Sequence, residues 1–308
     1  MEFRLTDDQL ALRTGFRALL AGRFGREELR AAVERPVLDR ALWRELGDAG
    51  LFSLRLPEAG GGVGLGMPEA VLVFEEAGRA LLPGPLVATH LAAGTVPGAD
   101  TGRTVVAASD GALVEWLAEA DAVVGPAAGA RPVRSVDPLT PLHRVSGERT
   151  GRPAAALLTA ALQLGSAART TELAVGYAKE REQFGRPIGA FQAVKHLCAG
   201  MLVRTEVARA AVYAAAVTSE AHGAGTGERE DVPDTRVPEI GVPETDVAGA
   251  KLLADDAAVR NARDCLQVHG GMGFTWESDV HLHLKRAWVR AGQWITEAEA
   301  AELVAAAL

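Results

Sequence analysis

Apolar residues in the first part of the chain recur at helical spacing. One stripe follows a capping box, in which Thr6 and Gln9 can satisfy the free amides of a helix start, and runs through Leu12, Phe16, Leu19 and Leu20. Similar patterns predict helices over residues 39–50 and 68–82, the second with a proline in its first turn. We therefore predict a helical N-terminal domain over residues 1–86.

Short β-prone runs replace this pattern in the middle of the chain. Residues 104–107 and 122–124 are rich in valine, and glycine, proline and aspartate separate them, as in strands joined by turns. This composition predicts a small β-rich domain over residues 87–150.

Helical periodicity returns in the last part of the chain. Apolar positions keep the 3.6-residue period over residues 157–178, 194–212 and 250–268, which predicts a helical bundle over residues 151–308. Residues 223–245 are rich in glycine, proline and acidic residues, and we expect a solvated, mobile insertion there. The predicted fold class is mainly α with a small β domain.

Composition narrows the choice of partners and compartment. A net charge of −8 and a pI near 5.5 argue against a nucleic-acid partner, because neutralising phosphates requires a basic face. The apolar run over residues 153–168 is too short to span a bilayer, and no apolar signal segment opens the chain. Cys198 and Cys265 stand at apolar helical positions, which predicts buried thiols in a reducing compartment. We expect a cytoplasmic protein without a membrane partner.

Candidate chemistry is concentrated where two of the long helical patterns meet. A planar arginine guanidinium matches the oxygens of a pyrophosphate, and two glutamine side chains can donate and accept hydrogen bonds. An aromatic ring can face a planar ligand, and a glycine permits a sharp backbone turn. The residues concerned are Arg181, Gln183, Phe184, Gly185, Ile188 and Gln192. Taken alone, the arginine could equally be a solvated charge at a helix C-terminus and the phenylalanine a core residue.

A second candidate segment follows the next long helix. Gln267 precedes Gly270 and Gly271, whose bare backbone amides can approach an anionic or ribosyl group. A glycine pair is also a routine helix stop. His281 and His283 are two residues apart and point to different faces of a helix, so we predict no metal site.

Both segments resemble signatures of the acyl-CoA dehydrogenase family. Residues 181–192, with the pattern Arg-x-Gln-Phe-Gly-x-x-Ile-x-x-Phe-Gln, resemble the family's flavin-binding signature, and residues 267–274, Gln-Val-His-Gly-Gly-Met-Gly-Phe, resemble its second signature. The resemblance implies a helical N-terminal domain, a β middle domain and a C-terminal four-helix bundle. It also implies FAD as cofactor, contacted across a subunit boundary by Arg181, Gln183, Phe184, Ile188, Gln192, Gln267, Gly270 and Gly271.

The reaction implied by the resemblance is α,β-desaturation of an acyl-CoA thioester, which requires a carboxylate base. The family places this base 26 residues before the signature arginine, where this chain has Ala155, or after the last bundle helix, where it has Ile295. Glu297 lies nearby but is predicted to begin a final helix behind the capping box of Thr296 and Glu299. We therefore predict no catalytic residue in this chain.

The middle domain also departs from the family. It is shorter, and its single tryptophan, Trp116, lacks the neighbouring hydroxyl residue of the family strand that covers the flavin ring. The chain resembles the short subunit of heteromeric actinobacterial dehydrogenases that act on steroid side-chain CoA thioesters. That resemblance implies a longer dehydrogenase subunit as partner in an α2β2 assembly, and an electron-transfer flavoprotein or similar acceptor. A non-catalytic assembly or regulatory protein, and a subunit of a flavin oxidase, are the alternatives.

Overall fold

The computed structural model describes residues 4–147, 151–225 and 243–307, and these are mainly helical. Five helices form the first part of the chain: α1 Asp7–Arg23, α2 Arg26–Glu34, α3 Arg40–Asp48, α4 Met67–Arg79 and α5 Leu86–Ala92. The predicted capping box of α1 is present, since Thr6 and Gln9 satisfy each other's backbone amides. Sequence patterns predicted α1, α3 and α4 and missed α2 and α5.

Three-residue strands follow α5. They are β1 Val106–Ala108, β2 Leu113–Glu115, β3 Ala122–Val124, β4 Arg131–Val133 and β5 Leu142–Arg144. β1 pairs with β3 in parallel, with Val106 opposite Ala122, whereas β5 lies between β2 and β4 in an antiparallel sheet. The β-prone runs predicted from sequence therefore pair with each other, and the antiparallel sheet was not predicted.

Long helices form the remainder of the chain. They are α6 Pro153–Glu180, α7 Gln192–Gly225, α8 Glu244–His269, α9 Val280–Ala291 and α10 Glu297–Ala305. A β-hairpin with two-residue strands, β6 Glu182–Gln183 and β7 Arg186–Pro187, joins α6 to α7. Most of the insertion predicted over residues 223–245 lies outside the described residues. Across the described residues, none of the helices combines the length and the apolar run needed to cross a bilayer.

A main hydrophobic core joins the N-terminal helices to α6, α7 and α8. α4 and α6 approach closely because two glycines leave room for the facing backbone. A Cβ on Gly78 would lie 2.0 Å from the Leu162 carbonyl oxygen, and one on Gly165 would lie 1.9 Å from that of Glu75. A second cluster packs the end of α6 against α7, α8 and α9. Cys265 is buried within it as predicted, but Cys198 is only half-buried.

Candidate functional site

The first signature forms an exposed corner between α6 and α7. α6 closes with a hydrogen bond from the Arg181 amide to the Tyr177 carbonyl (2.9 Å), and the Ile188 amide returns to the Arg181 carbonyl (2.8 Å). Phe184 and Gly185 occupy the hairpin turn with φ of 54° and 74°. Positive φ at both central residues is the geometry of a tight hairpin, and it is unfavourable for phenylalanine. The turn thus holds an aromatic side chain outward at a conformational cost.

The predicted flavin-binding side chains at this corner face outward. Phe184 is 92% exposed, Arg181, Gln183 and Gln192 are exposed, and Ile188 is half-buried. Gln183 donates to the Glu182 carbonyl (2.7 Å), whereas Arg181 forms no ion pair with any described residue. The exposed Arg181 guanidinium can take part in binding without first breaking an ion pair among the described residues, whereas the exposed Phe184 ring also contacts Phe191, with ring centroids 6.0 Å apart.

The second signature begins where α8 ends. Gly270 has a φ of 57°, which closes α8 and starts a 3-10 helix over Gly270–Phe274. A Cβ at Gly270 or Gly271 would meet nothing within 4 Å, so the backbone at these glycines is open to a ligand. Gln267 and Gly271 are exposed and Gly270 is half-buried.

The fold brings the two signatures together. Tyr177, just before the first signature, stacks on His269 of the second with ring centroids 4.2 Å apart. Ile188 packs against the same hydrophobic cluster as Leu266 and Val268. Segments about eighty residues apart in sequence therefore contribute to one end of the bundle.

Large apolar side chains surround this end of the bundle. Met272 is 56% exposed, Phe274 74% and Trp276 54%, in addition to Phe184. Exposed apolar patches on a folded protein commonly mark interaction surfaces. The three residues that follow the second signature glycines were absent from the predicted site, although their apolar character so soon after a helix stop was a usable signal.

An arginine pair from α2 holds the segment after the second signature. Arg26 donates to the Asp279 carboxylate (2.8 Å) and the Glu277 carbonyl (2.7 Å). Arg30 donates to the Trp276 carbonyl (2.6 Å) and lies 2.5 Å from the other Asp279 oxygen. The Asp279 carboxylate thus pairs with these arginines and gives no side-chain cap to α9.

Both positions at which the family places its base are buried and apolar. Ala155 is fully buried on α6, and Ile295 is 4% exposed before α10. Glu297 is the exposed first residue of α10, behind the predicted capping box of Thr296 and Glu299. Trp116 is 1% exposed and lies in the core, so it presents no face to a ligand.

A different carboxyl, missed by sequence reasoning, lies in the interior. Burial raises the pKa of Glu115, against the opposing effects of a hydrogen bond from Gln293 (3.0 Å) and the charge of Arg290. The cavity beside it measures about 10 Å³, about the room that one water molecule occupies. An acyl thioester cannot enter this cavity, so the half-buried Glu115 is not placed to act on one there.

His281 and His283 contact different parts of the structure. His283 is buried on α9 and shares a 2.8 Å hydrogen bond with Ser166, and burial lowers its pKa to about 3. His281 stacks on Trp276 at 5.0 Å. The described residues contain no group of three or more His, Cys, Asp or Glu side chains placed to hold a metal ion.

Comparison with known proteins agrees with the fold and the signatures. The chain matches the family model "Acyl-CoA dehydrogenase, N-terminal domain" over residues 6–104 and "Acyl-CoA dehydrogenase, C-terminal domain" over residues 154–293. It is 34% identical to the acyl-CoA dehydrogenase IpdE2 of Mycobacterium tuberculosis, over 91% of each chain.

Two solved structures share the fold. The ChsE4–ChsE5 complex from Mycobacterium tuberculosis superposes with a TM-score of 0.79 at 23% identity, covering 100% of this chain and 99% of the other. The steroid acyl-CoA dehydrogenase Tcur3481–Tcur3483 gives a TM-score of 0.78 at 23% identity, covering 97% of each chain.

These matches define a class of flavin-dependent oxidoreductases that act on a CH–CH group. The chain belongs to the acyl-CoA dehydrogenase family, whose cofactor is FAD.

Proposed function

We propose that this chain is the short subunit of a heteromeric acyl-CoA dehydrogenase that desaturates an acyl-CoA thioester between the α and β carbons. The observation that carries the proposal is a contrast between two regions. The two signatures share one exposed end of the bundle, while Ala155 and Ile295, at the two positions predicted for the base, are buried and apolar. Such a chain can complete a flavin site but has no carboxylate where the reaction needs one.

The exposed end of the bundle fits one side of a bound FAD. The Arg181 fork would pair with the pyrophosphate, because a planar guanidinium matches two phosphate oxygens. Gln183 and Gln192 would supply amide donors and acceptors, and Phe184 an apolar edge. The open backbone at Gly270 and Gly271, next to Gln267, would let amides approach the cofactor closely.

Within the assembly, the partner subunit would hold most of the cofactor and the catalytic glutamate. That glutamate would remove the α-proton of the thioester, and bound FAD would supply the acceptor for the β-hydrogen as hydride. The residues of this chain then bind and orient the cofactor across the subunit boundary.

Two different chains in an α2β2 arrangement are the assembly we propose. The likeness in fold to the ChsE4–ChsE5 complex supports a partner subunit, and the likeness to a steroid dehydrogenase supports a steroid side-chain CoA thioester as substrate. An electron-transfer flavoprotein is the proposed acceptor, and the cytoplasm the proposed location. Residues 1–86, 87–150 and 151–308 are the proposed domains.

Reconstitution tests this function. The chain is purified alone, the longer dehydrogenase subunit from the same gene neighbourhood is purified alone, and the two are co-expressed. Turnover is measured as acyl-CoA-dependent reduction of a ferrocenium dye. Activity is expected only in the complex, and full activity of this chain by itself would contradict the proposal.

A further inference from the structure

The two cysteines of the chain lie on neighbouring helices of the bundle. Cys198 is half-buried on α7 and Cys265 is buried on α8, and both thiols are free. Both pack in the second hydrophobic cluster, the one that also contains the end of α6. Neither thiol has a part in the proposed flavin contacts or in the proposed reaction.

Hydrogen bonds fix how α7 and α8 face each other. The Thr218 hydroxyl donates to the Asp246 carboxylate (3.0 Å). At the other end of the contact, the Asn261 amide donates to the Met201 carbonyl (3.0 Å) and to the Thr205 hydroxyl (2.9 Å). Later residues of α7 thus contact earlier residues of α8, so the two helices run antiparallel.

This register places Cys198 opposite Cys265. Cys198 precedes Met201 by three residues and Cys265 follows Asn261 by four, so both lie one turn further along the same helix faces. Packed helix axes are about 8–10 Å apart and Cα atoms lie about 2.3 Å from each axis, so facing Cα atoms approach to roughly 3.5–5.5 Å. Because a disulfide joins Cα atoms roughly 4.4–6.8 Å apart, the backbone is suitably spaced for one.

The surroundings of Cys265 support its closeness to Cys198. Burial, and after it the nearby Cys198 thiol, raises the pKa of Cys265 to about 12. Cys265 Sγ lies 3.6 Å from His269 Nδ1, and the same nitrogen lies 2.8 Å from the Cys265 carbonyl oxygen. Since a carbonyl only accepts, Nδ1 carries a proton and can donate to the sulfur when the thiol ionises. His269 stacks on Tyr177, so this thiol adjoins the contact between the two signatures.

We propose that Cys198 and Cys265 form an intramolecular disulfide when the chain is exposed to a peroxide. Hydrogen peroxide reaches the half-buried Cys198 first: an S–O bond forms, the O–O bond breaks and water leaves. The Cys265 sulfur then attacks the Cys198 sulfur, so that the S–S bond forms, the S–O bond breaks and a second water leaves. Two thiols are oxidised and one peroxide is reduced to two waters, which take up both thiol protons. Transient disulfides of this kind are typical of redox-sensing sites inside cells, and the proposal does not depend on the proposed reaction.

Peptide mapping of the full chain tests the proposal. Trypsin cuts after Lys195, Arg204, Arg263 and Lys285, which leaves the two cysteines in separate peptides, 196–204 and 264–285. Burial raises the pKa of both thiols and slows their reaction, so the incubation uses millimolar hydrogen peroxide before an N-ethylmaleimide quench. The non-reduced digest should contain the two peptides linked, with the oxidised protein still running as a single chain on a non-reducing gel. Dithiothreitol should restore both thiols.

Two variants make the result specific. Cys265→Ala removes the second thiol, so dimedone, which traps the oxidised Cys198, should label it several-fold more than in wild type. Cys198→Ser combined with Ala199→Cys moves the thiol about 100° round α7 to an exposed position, so the intramolecular link should be lost.

Four results would overturn the proposal. They are an unlinked wild-type digest, a link found only between two chains, equal dimedone labelling of wild type and Cys265→Ala, and an intramolecular link that persists in the Ala199→Cys double variant. The wild-type digest requires no substitution, so the first two results hold even where a variant folds poorly.

Discussion

Replacing Arg181 with alanine should weaken FAD binding by the complex without destabilising the chain. Arg181 is exposed and makes no ion pair with any described residue, so its loss should change the free energy of unfolding by no more than about 0.5 kcal/mol. A hydrogen bond to a charged phosphate contributes about 1.5–3 kcal/mol. Because about 1.4 kcal/mol corresponds to a tenfold change, the Kd for FAD should rise roughly 10- to 150-fold.

The assay is a fluorescence titration of FAD into the deflavinated complex, with thermal unfolding measured in parallel. Arg181→Lys should fall between wild type and Arg181→Ala, since lysine keeps the charge but loses the planar fork. Arg44→Ala, at an exposed position on α3, serves as the matched control and should leave the Kd unchanged. A Kd within twofold of wild type for Arg181→Ala would refute the cross-subunit contact.

Three further predictions concern other parts of the chain. Glu297→Gln should leave turnover of the complex near wild type because Glu297 is an exposed helix-start residue; a thousandfold loss in steady-state turnover would assign the base to this chain instead. Arg30→Ala removes the contacts with Asp279 and the Trp276 carbonyl, so hydrogen exchange should rise at residues 270–279 and stay unchanged at 181–192, with Arg30→Lys giving a smaller rise. Burial lowers the pKa of His90 to about 4, so its contribution to stability is complete above pH 6.5 and falls by up to about 3 kcal/mol as pH decreases towards 4. In denaturant unfolding, the free energy of unfolding of His90→Leu should therefore depend less steeply on pH than that of wild type. An equal slope would contradict this origin.

Strong local signals made several elements predictable. The capping boxes before α1 and α10 and the long apolar periods of α6 and α8 are each encoded by neighbouring residues, and the structure confirms them. α2 was missed although α3, which has the same length, was predicted. α2 is preceded by a glycine that offers no side-chain cap and has only Leu29 and Val33 as buried positions, whereas the Asp39 side chain caps α3. Such a short stripe provides little periodicity to detect.

Elements that depend on distant contacts were harder to predict. β4 contains Pro132 and has no buried residue, so only its pairing with β5 makes it a strand. Asp279 stands at the N-cap position of α9, but two arginines from α2, about 250 residues away in sequence, engage its carboxylate. Tertiary ion pairs of this kind override a local capping preference.

For the candidate site, the motifs in the sequence provided the residue types and the structure adds their geometry. Arg181 and Gly270 stay predicted site residues, and no sequence pattern indicated that Phe184 adopts positive φ and projects outward. The apolar character of Met272 and Phe274 was a sequence signal, but only the structure shows that both side chains are exposed. Sequence specifies the residue types, whereas packing decides which of them face a ligand.

Flavin stoichiometry tests the central claim most directly. Visible absorbance gives the amount of flavin per chain for this protein purified alone and for the complex with the longer dehydrogenase subunit. We expect flavin only in the complex, near one per two chains, because this chain would supply one side of each site and the partner the other. One flavin per chain in the solitary protein would contradict the account and would mean that this chain builds a complete site by itself.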